Sequence, residues 1–348
     1  MKEIIGAIHF HTIYSDGYST YEEALAQAKP AGLAFLIGTD HNTLKPKEDG
    51  LEGYHNDVLL ICGYEITNNV NHYLVIGIDR IFPPSDNPQE FIDKVKKEGG
   101  LGIIAHPHHL GIKRFGIDAF PWVDWNVNGY DCISIWDLVN DWGEHVNGYI
   151  SGIKSLINPS GNLTGPNHKT LETWDRLNLE RRVPGIGELD NHNNKFKVFG
   201  IPIVTFDWKF AFRTIRNHLF IDDMTGDVNK DTKNILDTIR KGRLFVANDY
   251  FMDSTGFEFF SLLDGGSRAY MGDRLKAKTN IVLFAKSPIK AYIRLIHNSR
   301  LIKEVFSESL TYSTNESGVW RAEVYLQKGL WRRSWIYSNP IVIETENE

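Results

Sequence analysis

Short apolar runs that end in polar residues recur along the first 240 residues of the chain. The runs at residues 4–8, 34–37 and 58–61 have the length and character of buried strands. Between the first two lies a stretch with a helical apolar face, opened by a capping-box pattern from Ser19 to Glu22 and closed by Gly32. This alternation of strands and helices is typical of an α/β protein built on a parallel barrel.

The same alternation continues to about residue 241. Further strands are predicted at residues 73–78, 101–105, 131–136, 183–189 and 201–206. Further helices are predicted at residues 88–97, 168–181 and 232–241. Residues 108–130 are rich in Trp and Gly and are predicted to form a long loop beside a site.

From about residue 250 the pattern changes. Five short apolar runs are separated by turn residues and lack helical periodicity, at positions 257–263, 279–285, 291–297, 318–327 and 335–343. Such spacing predicts a small antiparallel β domain, sandwich-like in form. The predicted division is therefore a barrel at residues 1–249 and a β domain at residues 250–348.

Composition limits the classes of protein to which this chain can belong. The 348 residues carry a formal net charge of -6, which does not indicate a nucleic-acid partner. The two cysteines, Cys62 and Cys132, lie in apolar runs and are predicted to be core residues, which excludes a thiolate zinc site. No apolar run has the length of a membrane span and the chain opens directly on a strand, so a cytoplasmic protein without a membrane partner is expected.

Histidines and carboxylates gather where the predicted strands end. His9 and His11 are two positions apart and lie on the same side of an extended chain, and Asp16 follows them just before Gly17, which permits a tight turn. The full set of candidate ligands is His9, His11, Asp16, His41, Glu65, His72, His106, Asp190 and His192. This set exceeds the need of one tetrahedral ion and suits two or three ions of zinc, manganese or iron, with Glu65 as the candidate bridge.

These motifs resemble those of the polymerase and histidinol phosphatase (PHP) family. They are His-x-His-Thr with Ser-Asp-Gly at 9–17, Thr-Asp-His-Asn at 39–42, Gly-x-Glu at 63–65, Ala-His-Pro at 105–107 and Gly-x-x-Asp-x-His at 187–192. They stand in the family's order and span residues 1–220. The resemblance implies a distorted seven-stranded (β/α) barrel of PHP type, a two- or three-metal site, and hydrolysis of phosphate esters.

The resemblance carries over position by position. The matching positions are His9 and His11 as ligands of the first motif, Asp16 as its closing residue, His41 and His106 as motif histidines, Glu65 as the bridging acid, and Asp190 with His192 as the last pair. His72 lies seven residues after Glu65, where the family often has a ligand at variable spacing; it is a ligand or a polar strand residue. Glu188 and Leu189 are bulkier than the residues usual before this Asp, which is expected to reshape the pocket.

Other polar and aromatic residues have two open interpretations. Asp40 is expected to orient a histidine rather than bind metal. His108 and His109 face a substrate or the surface, and three basic residues clamp a phosphate or are simply solvated: Lys113, Arg114 and Lys195. Asp137 and Asp207 support the site or cap the next element. Trp122, Trp125 and Trp136 wall a pocket or pack in the core.

The function expected from this pattern is hydrolysis of a small-molecule, anionic phosphate ester by a metal-activated water, with Glu65, Asp190 and His192 as the catalytic residues. An alternative is a carboxylic ester, carbamate or amide hydrolase, because a carbaryl-hydrolase-like branch with similar barrel motifs is expected to carry a C-terminal β domain. A third possibility, a protein that holds metal without turnover, is disfavoured by the complete ligand set.

Overall fold

The computed structural model describes residues 1–112, 118–198, 201–263, 266–276 and 280–344. Its helices are α1 (Tyr21–Ala28), α2 (Lys45–Glu48), α3 (Pro88–Lys97), α4 (Leu138–Glu144), α5 (Tyr149–Ile157), α6 (His168–Glu180), α7 (Trp208–Ala211) and α8 (Val228–Lys241). The strands before residue 250 are β1 (Lys2–Ile8), β2 (Phe35–Gly38), β3 (Gly53–His55), β4 (Val58–Cys62), β5 (Tyr64–Ile66), β6 (Tyr73–Ile76), β7 (Leu101–Ile104), β8 (Cys132–Asp137), β9 (Gly185–Glu188), β10 (Lys195–Val198), β11 (Ile201–Val204), β12 (Ile215–Ile221) and β13 (Leu244–Asn248). The later strands are β14 (Glu258–Leu262), β15 (Arg268–Tyr270), β16 (Arg274–Lys276), β17 (Ile281–His297), β18 (Arg300–Thr314), β19 (Gly318–Lys328), β20 (Trp331–Ser338) and β21 (Ile341–Glu344).

The strands of the described residues form two large sheets and one hairpin. A 14-stranded sheet runs in the order β15-β14-β17-β19-β20-β13-β12-β1-β2-β4-β3, with β16, β18 and β21 paired at its sides. A five-stranded sheet runs β5-β6-β7-β8-β9. The fold is mixed α/β as predicted, but its strands do not close into one continuous sheet, so the predicted seven-stranded barrel is not observed as such.

The two large sheets meet at both ends of the five-stranded sheet. At one end, the backbone N–H of Leu189 donates to Ile8 at 3.0 Å, and Phe10 bridges Asn191 in parallel. At the other end, β4 leads through Gly63 into β5, and a parallel bridge joins His41 to Glu65. These contacts bring the strand ends of both sheets together at one edge.

One predicted strand lies elsewhere in the structure. Residues 201–204 were predicted to be part of the last strand of the alternating pattern, but they form β11 of the separate hairpin β10–β11. On one side β1 pairs with β2, and on the other with β12, which is antiparallel and pairs Gly6 with Asn217. The apolar pattern of β12 is interrupted by Arg216, Asn217 and His218, which hides this strand in the sequence.

Helix α1 starts one residue later than predicted. The capping box is formed by Thr20 and Glu23: the Thr20 hydroxyl accepts from the Glu23 N–H at 3.2 Å, and the Glu23 carboxylate accepts from the Thr20 N–H at 3.0 Å. Ser19 is buried and accepts a hydrogen bond from the Trp208 indole at 3.1 Å. The predicted pair of Ser19 and Glu22 was therefore wrong by one position.

The strands after residue 250 have their own apolar core but share a sheet with the preceding part. Trp320 and Trp335 are fully buried in that core. Strand β13 pairs with β20, and the Asn339 side chain bonds both the N–H and the carbonyl of Gly185 at 2.8 Å. The division at residue 250 stays a prediction.

Two smaller expectations concern cysteines and membranes. Cys62 and Cys132 are buried and unpaired, as predicted for core residues. Among the helices of the described residues, none is long and apolar enough to cross a membrane.

A buried polar network fixes residues 249–256 against β1 and β12. His218 is fully buried between Glu3, 2.7 Å from its Nδ1, and Asp249, 2.9 Å from its Nε2. Asp249 also accepts from the Ser254 hydroxyl at 2.6 Å, and Glu3 accepts from the Gly256 N–H at 2.9 Å. We call these four side chains, Glu3, His218, Asp249 and Ser254, the His218 network.

Candidate metal centre

The loop after β1 is shaped by a buried acid, Asp40. Its carboxylate accepts from the Thr12 N–H at 2.8 Å, the Ser15 hydroxyl at 2.7 Å and the Tyr21 hydroxyl at 2.9 Å. A Cβ at Gly17 would lie 2.4 Å from the His11 carbonyl oxygen, so the turn requires glycine there. The expectation that Asp40 orients a histidine was wrong: its hydrogen-bond partners in the described chain belong to this loop and to α1.

The structure brings all nine predicted ligands together. They form three overlapping groups, and the ligand atoms of each group lie within 4.8 Å of one another. The groups are His11, Asp16, His41 and His192; His9, His11, Glu65 and Asp190; and Glu65, His72 and His106. We call these nine residues the candidate metal centre.

Glu65 lies between the second and third groups. Its Oε2 is 2.9 Å from His41 Nδ1 and 3.4 Å from His9 Nε2. Its Oε1 is 2.8 Å from His72 Nδ1 and 3.3 Å from His106 Nε2. Each carboxylate oxygen therefore faces a different set of imidazoles, which is the arrangement of a bridging carboxylate.

Strand direction explains the place of His72. Strand β6 is antiparallel to both β5 and β7, so its first residues lie at the edge where those two strands end. His72 precedes β6 and is 5% exposed. Its Nε2 donates to the Asn68 carbonyl at 2.8 Å, which leaves the lone pair of Nδ1 directed at Glu65.

Several neighbours fix ring orientations in the same way. His192 Nδ1 donates to the Asp190 carbonyl at 3.0 Å, so Nε2 faces Asp16 at 3.3 Å. The Thr67 hydroxyl contacts His41 Nδ1 at 2.5 Å. Sequence reasoning missed Thr67 and Asn68, which follow Glu65 directly without a motif of their own.

The imidazoles are unusually crowded. His9 Nε2 and His11 Nε2 face each other at 3.1 Å, and the His11 ring stacks between those of His41 and His192 at 4.1 and 4.2 Å. Burial, reinforced by His192, lowers the pKa of His11 to about 3. Burial alone would also lower the pKa of His9, but the charges of Glu65 and Asp190 outweigh it and raise that pKa.

The donor set fits divalent cations. Imidazole nitrogens and carboxylate oxygens are the usual ligands of zinc, manganese and iron, and two ring nitrogens aimed at each other need a shared proton or a cation between them. Three candidate ligands also have positive φ angles, with values of 68° for His9, 25° for His106 and 47° for Asp190. Such backbone strain in non-glycine residues clusters at functional sites.

One side of the candidate metal centre is open to solvent. The Asp16 side chain is 59% exposed and those of His41 and His192 are 22% and 19% exposed. In contrast, His9, His11 and Glu65 are buried. Contacts with His192 and His41 outweigh partial burial and lower the pKa of Asp16, so the open side carries an ionised carboxylate.

Glu188 and Leu189, expected to reshape the pocket, have different surroundings. Leu189 belongs to the apolar core. Glu188 is fully buried, and its carboxylate contacts His9 Nδ1 at 2.8 Å and accepts from the His106 N–H at 2.6 Å. A glutamate inside the apolar run 183–189 was the available signal, because acidic residues are rarely buried without a partner.

The histidines that follow the Ala-His-Pro motif differ in position. His108 stacks on Trp125 and contacts the Thr170 hydroxyl at 2.9 Å. His109 is buried beside His106, and its Nδ1 accepts from the Phe120 N–H at 3.1 Å. Burial and the nearby His106 lower the pKa of His109 to about 4, so its ring is neutral at neutral pH.

Most of the remaining candidate residues have structural roles. Asp137 and Asp207 cap α4 and α7 through the N–H groups of Asn140 and Phe210. Burial, with Glu188 and Asp190 nearby, raises the pKa of Asp137.

The tryptophans and the basic candidates complete this set. Trp122 and Trp136 are buried, and Trp125 is partly exposed. Lys195 is exposed on the β10–β11 hairpin, and Lys113 and Arg114 lie outside the described residues.

Known proteins provide distant likenesses. No family model matches the chain. A solved two-domain protein of Bacteroides vulgatus, named as containing a predicted PHP-like metal-dependent phosphoesterase, is 14% identical with a TM-score of 0.45, and the match covers 97% of this chain and 95% of that one. An amidohydrolase of Chromobacterium violaceum, with bound sulfate and no metal, is 14% identical with a TM-score of 0.33 over 54% of this chain and 87% of that one. An uncharacterized protein of Methanocaldococcus jannaschii is 28% identical over 132 residues, which are 32% of this chain and 73% of the relative.

Proposed function

We propose that this chain is a metal-dependent hydrolase of phosphate esters that uses two or three divalent cations, zinc, manganese or iron. The observation that supports this proposal best is the convergence of nine imidazole and carboxylate side chains into three overlapping groups. The groups give one set of ligands per ion, and Glu65 would bridge two of them. When bound, such ions polarise a substrate oxygen and activate a water.

The side chains of the candidate metal centre differ in solvent exposure, and this difference bears on their proposed roles. The buried residues His9, His11 and Glu65 would hold the ions away from bulk water. Asp190 and His192, two positions apart on the loop after β9 and partly exposed at 13% and 19%, border the route by which a substrate arrives. We assign Glu65 to the reaction because it would bridge two ions, and Asp190 and His192 because they border this route. The remaining ligands, including the more exposed Asp16 and His41, are assigned to ion binding.

Charge favours an anionic substrate. Three carboxylates, Asp16, Glu65 and Asp190, offset at most three of the four to six positive charges that two or three dications bring. The excess charge favours phosphate oxygens, which can bridge ions roughly 3.5–4 Å apart. We infer a small phosphate mono- or diester as the substrate class.

A second candidate is a carboxylic ester, carbamate or amide hydrolase on the same site. An aromatic side supports it: Phe120 stacks on His72 and on His109, with ring centroids 5.0 and 5.7 Å apart. Such a surface can hold an aromatic leaving group next to the third ligand group.

Metal analysis and a substrate panel test these alternatives together. The protein is reconstituted with Mn²⁺ or Zn²⁺, analysed for metal, and assayed on nitrophenyl phosphate, bis-nitrophenyl phosphate, nitrophenyl acetate and a naphthyl carbamate. Phosphate-ester turnover that is lost with a chelator supports the proposal. Efficient acetate or carbamate cleavage without phosphatase activity favours the second candidate, and a metal content near zero refutes both.

A further inference from the structure

Glu188 is a buried carboxylate that touches the candidate metal centre without belonging to any of its three groups. It is the last residue of β9 and is fully buried. Its Oε1 lies 2.6 Å from the backbone nitrogen of His106, and its Oε2 lies 2.8 Å from His9 Nδ1. Both contacts are made to candidate ligands, His9 and His106, so Glu188 can influence the orientation of their ring nitrogens.

The chemistry of the two contacts fixes the position of a proton. A backbone N–H only donates, so Oε1 is occupied as an acceptor by His106. The carboxylate has no hydrogen to offer to His9, so Nδ1 of His9 must carry the proton. A neutral His9 then has its lone pair on Nε2, which faces His11 Nε2 at 3.1 Å, and Glu65 Oε2 and Asp190 Oδ1 at 3.4 Å each.

We infer that Glu188 is a positioning residue that holds His9 in its Nδ1–H tautomer and so directs the lone pair of Nε2 into the second ligand group. The inference rests on the proposed metal-dependent function. It gives Glu188 a role in ion binding without direct ligation, as carboxylates behind metal-binding histidines have in other proteins.

Glu188→Gln separates this role from packing. The amide has nearly the same volume, but it has only one acceptor oxygen, and the His106 N–H can be satisfied by that oxygen alone. The amide NH₂ must then face His9 Nδ1, which becomes an acceptor and moves the ring proton to Nε2. The variant therefore blocks the proposed ligand atom while the side chain keeps its size.

Glu3→Gln is a matched control. Glu3 makes the same two kinds of contact, one with a histidine Nδ1 (His218, 2.7 Å) and one with a backbone N–H (Gly256, 2.9 Å). Among the described residues, none of the hydrogen bonds or ion pairs of the Glu3 side chain involves a member of the candidate metal centre. It reports the general effect of removing a buried histidine–glutamate pair.

The experiment measures ion binding directly. The full-length wild type, Glu188→Gln and Glu3→Gln are stripped with chelator, titrated with Zn²⁺ against a competing indicator at pH 7.5, and counted by elemental analysis. We expect Glu188→Gln to lose one ion or to bind it roughly 10–100-fold more weakly. Glu3→Gln should keep the wild-type number and affinity within about threefold, even if it unfolds more easily.

Histidine NMR on the zinc-loaded wild type supplies a readout that does not depend on any variant at position 188. Long-range ¹⁵N–¹H spectra, assigned for His9 by comparison with His9→Asn, should show a protonated Nδ1 and a metal-shifted Nε2. A proton on Nε2 of His9 would overturn the inference.

The outcomes distinguish this inference from the proposed function. A wild type that binds no zinc refutes the proposed function and this inference with it. A wild type that binds zinc, together with a Glu188→Gln that binds the same number of ions at the same affinity, refutes the inference alone.

Discussion

Two buried clusters of histidine and carboxylate in the described part of the chain look alike in composition but differ in how their atoms are paired. In the His218 network, one imidazole lies between two carboxylates, at 2.7 and 2.9 Å, and each ring nitrogen can donate to an acceptor. In the candidate metal centre, six imidazoles surround three carboxylates, and two ring nitrogens face each other at 3.1 Å. In the His218 network, the side-chain protons are sufficient to hydrogen-bond the facing acceptors. The candidate metal centre has more acceptor atoms than hydrogen-bond donors.

This difference in pairing distinguishes a ligand site from a structural ion pair. Both clusters are buried and both contain histidines with raised pKa values, so neither burial nor a pKa shift separates them. The balance of donors and acceptors does: the Nε2 atoms of His9 and His11 face each other at 3.1 Å, while each ring nitrogen of His218 faces a carboxylate oxygen. Ring nitrogens that converge on one point in this way suit a cation between them.

The largest expected effect comes from breaking the candidate metal centre. Asp190→Ala should reduce phosphate-ester turnover by roughly 10⁴-fold, about 5.5 kcal/mol of activation free energy, because ligation and charge are both lost. The fold should remain, since Asp190 lies on a loop after β9 rather than in the apolar core. Steady-state kinetics and circular dichroism check both statements, and near-normal turnover would remove Asp190 from the site.

Breaking the His218 network should affect stability instead. His218→Ala leaves the buried carboxylates of Glu3 and Asp249 without their shared partner, which typically lowers the free energy of unfolding by about 3–5 kcal/mol. Denaturant unfolding measures this loss, and elemental analysis should give an unchanged metal content. A variant that loses its metal while remaining folded would contradict the separation of the two clusters.

Metal addition should stabilise the chain through the candidate metal centre alone. At a free concentration 100 times the dissociation constant, an ion that binds the folded state adds about 2.7 kcal/mol to the free energy of unfolding. His218→Ala should keep this increment and Asp190→Ala should lose most of it. Thermal melts with and without Zn²⁺ compare the three proteins, and equal increments in all of them would argue for binding elsewhere.

The smallest effect concerns pH. Asp249 and Glu3 outweigh burial and raise the pKa of His218, so this pairing stabilises the fold fully below the ordinary pKa of 6.5 and loses its effect as pH rises through the folded-state pKa. His218 in turn lowers the pKa of Asp249, whose contribution is present above 3.8 and lost in acid.

The stability difference between wild type and His218→Gln should therefore be largest between about pH 4 and 6.5 and shrink at alkaline pH. Urea unfolding from pH 4 to 9.5 measures it. A difference that grows with pH would show that His218 is neutral in the fold.

All nine members of the candidate metal centre could be selected from sequence, because eight of them belong to short motifs and His72 directly precedes an apolar run. Direction was harder to predict. His72 comes before its strand rather than after it, and only the antiparallel pairing of β6 brings it to the same edge. Apolar patterns predict that a strand exists but do not give its direction.

Two other features could not be predicted from the sequence, for physical reasons. Strand β12 is broken in pattern by Arg216, Asn217 and His218, whose polar groups are bonded to Ala31, Gly187 and Asp249 inside the protein. Glu188 interrupts an apolar strand for the same reason. In each case a partner distant in the chain makes the polar residue compatible with burial, and local pattern does not reveal that partner.

The candidate metal centre draws its members from both large sheets. His9, His11 and His41 follow strands of the 14-stranded sheet, whereas Glu65, His106 and Asp190 belong to the five-stranded sheet or its ends. A bound ion would therefore link the two sheets across their seam, in addition to backbone hydrogen bonds such as that from Leu189 to Ile8. Removal of the ion should let this seam open as a sub-global unit, with faster amide exchange at Leu189 and His11 and earlier protease cleavage than global unfolding alone would give. Ion supply would then govern the lifetime of the protein as well as its chemistry.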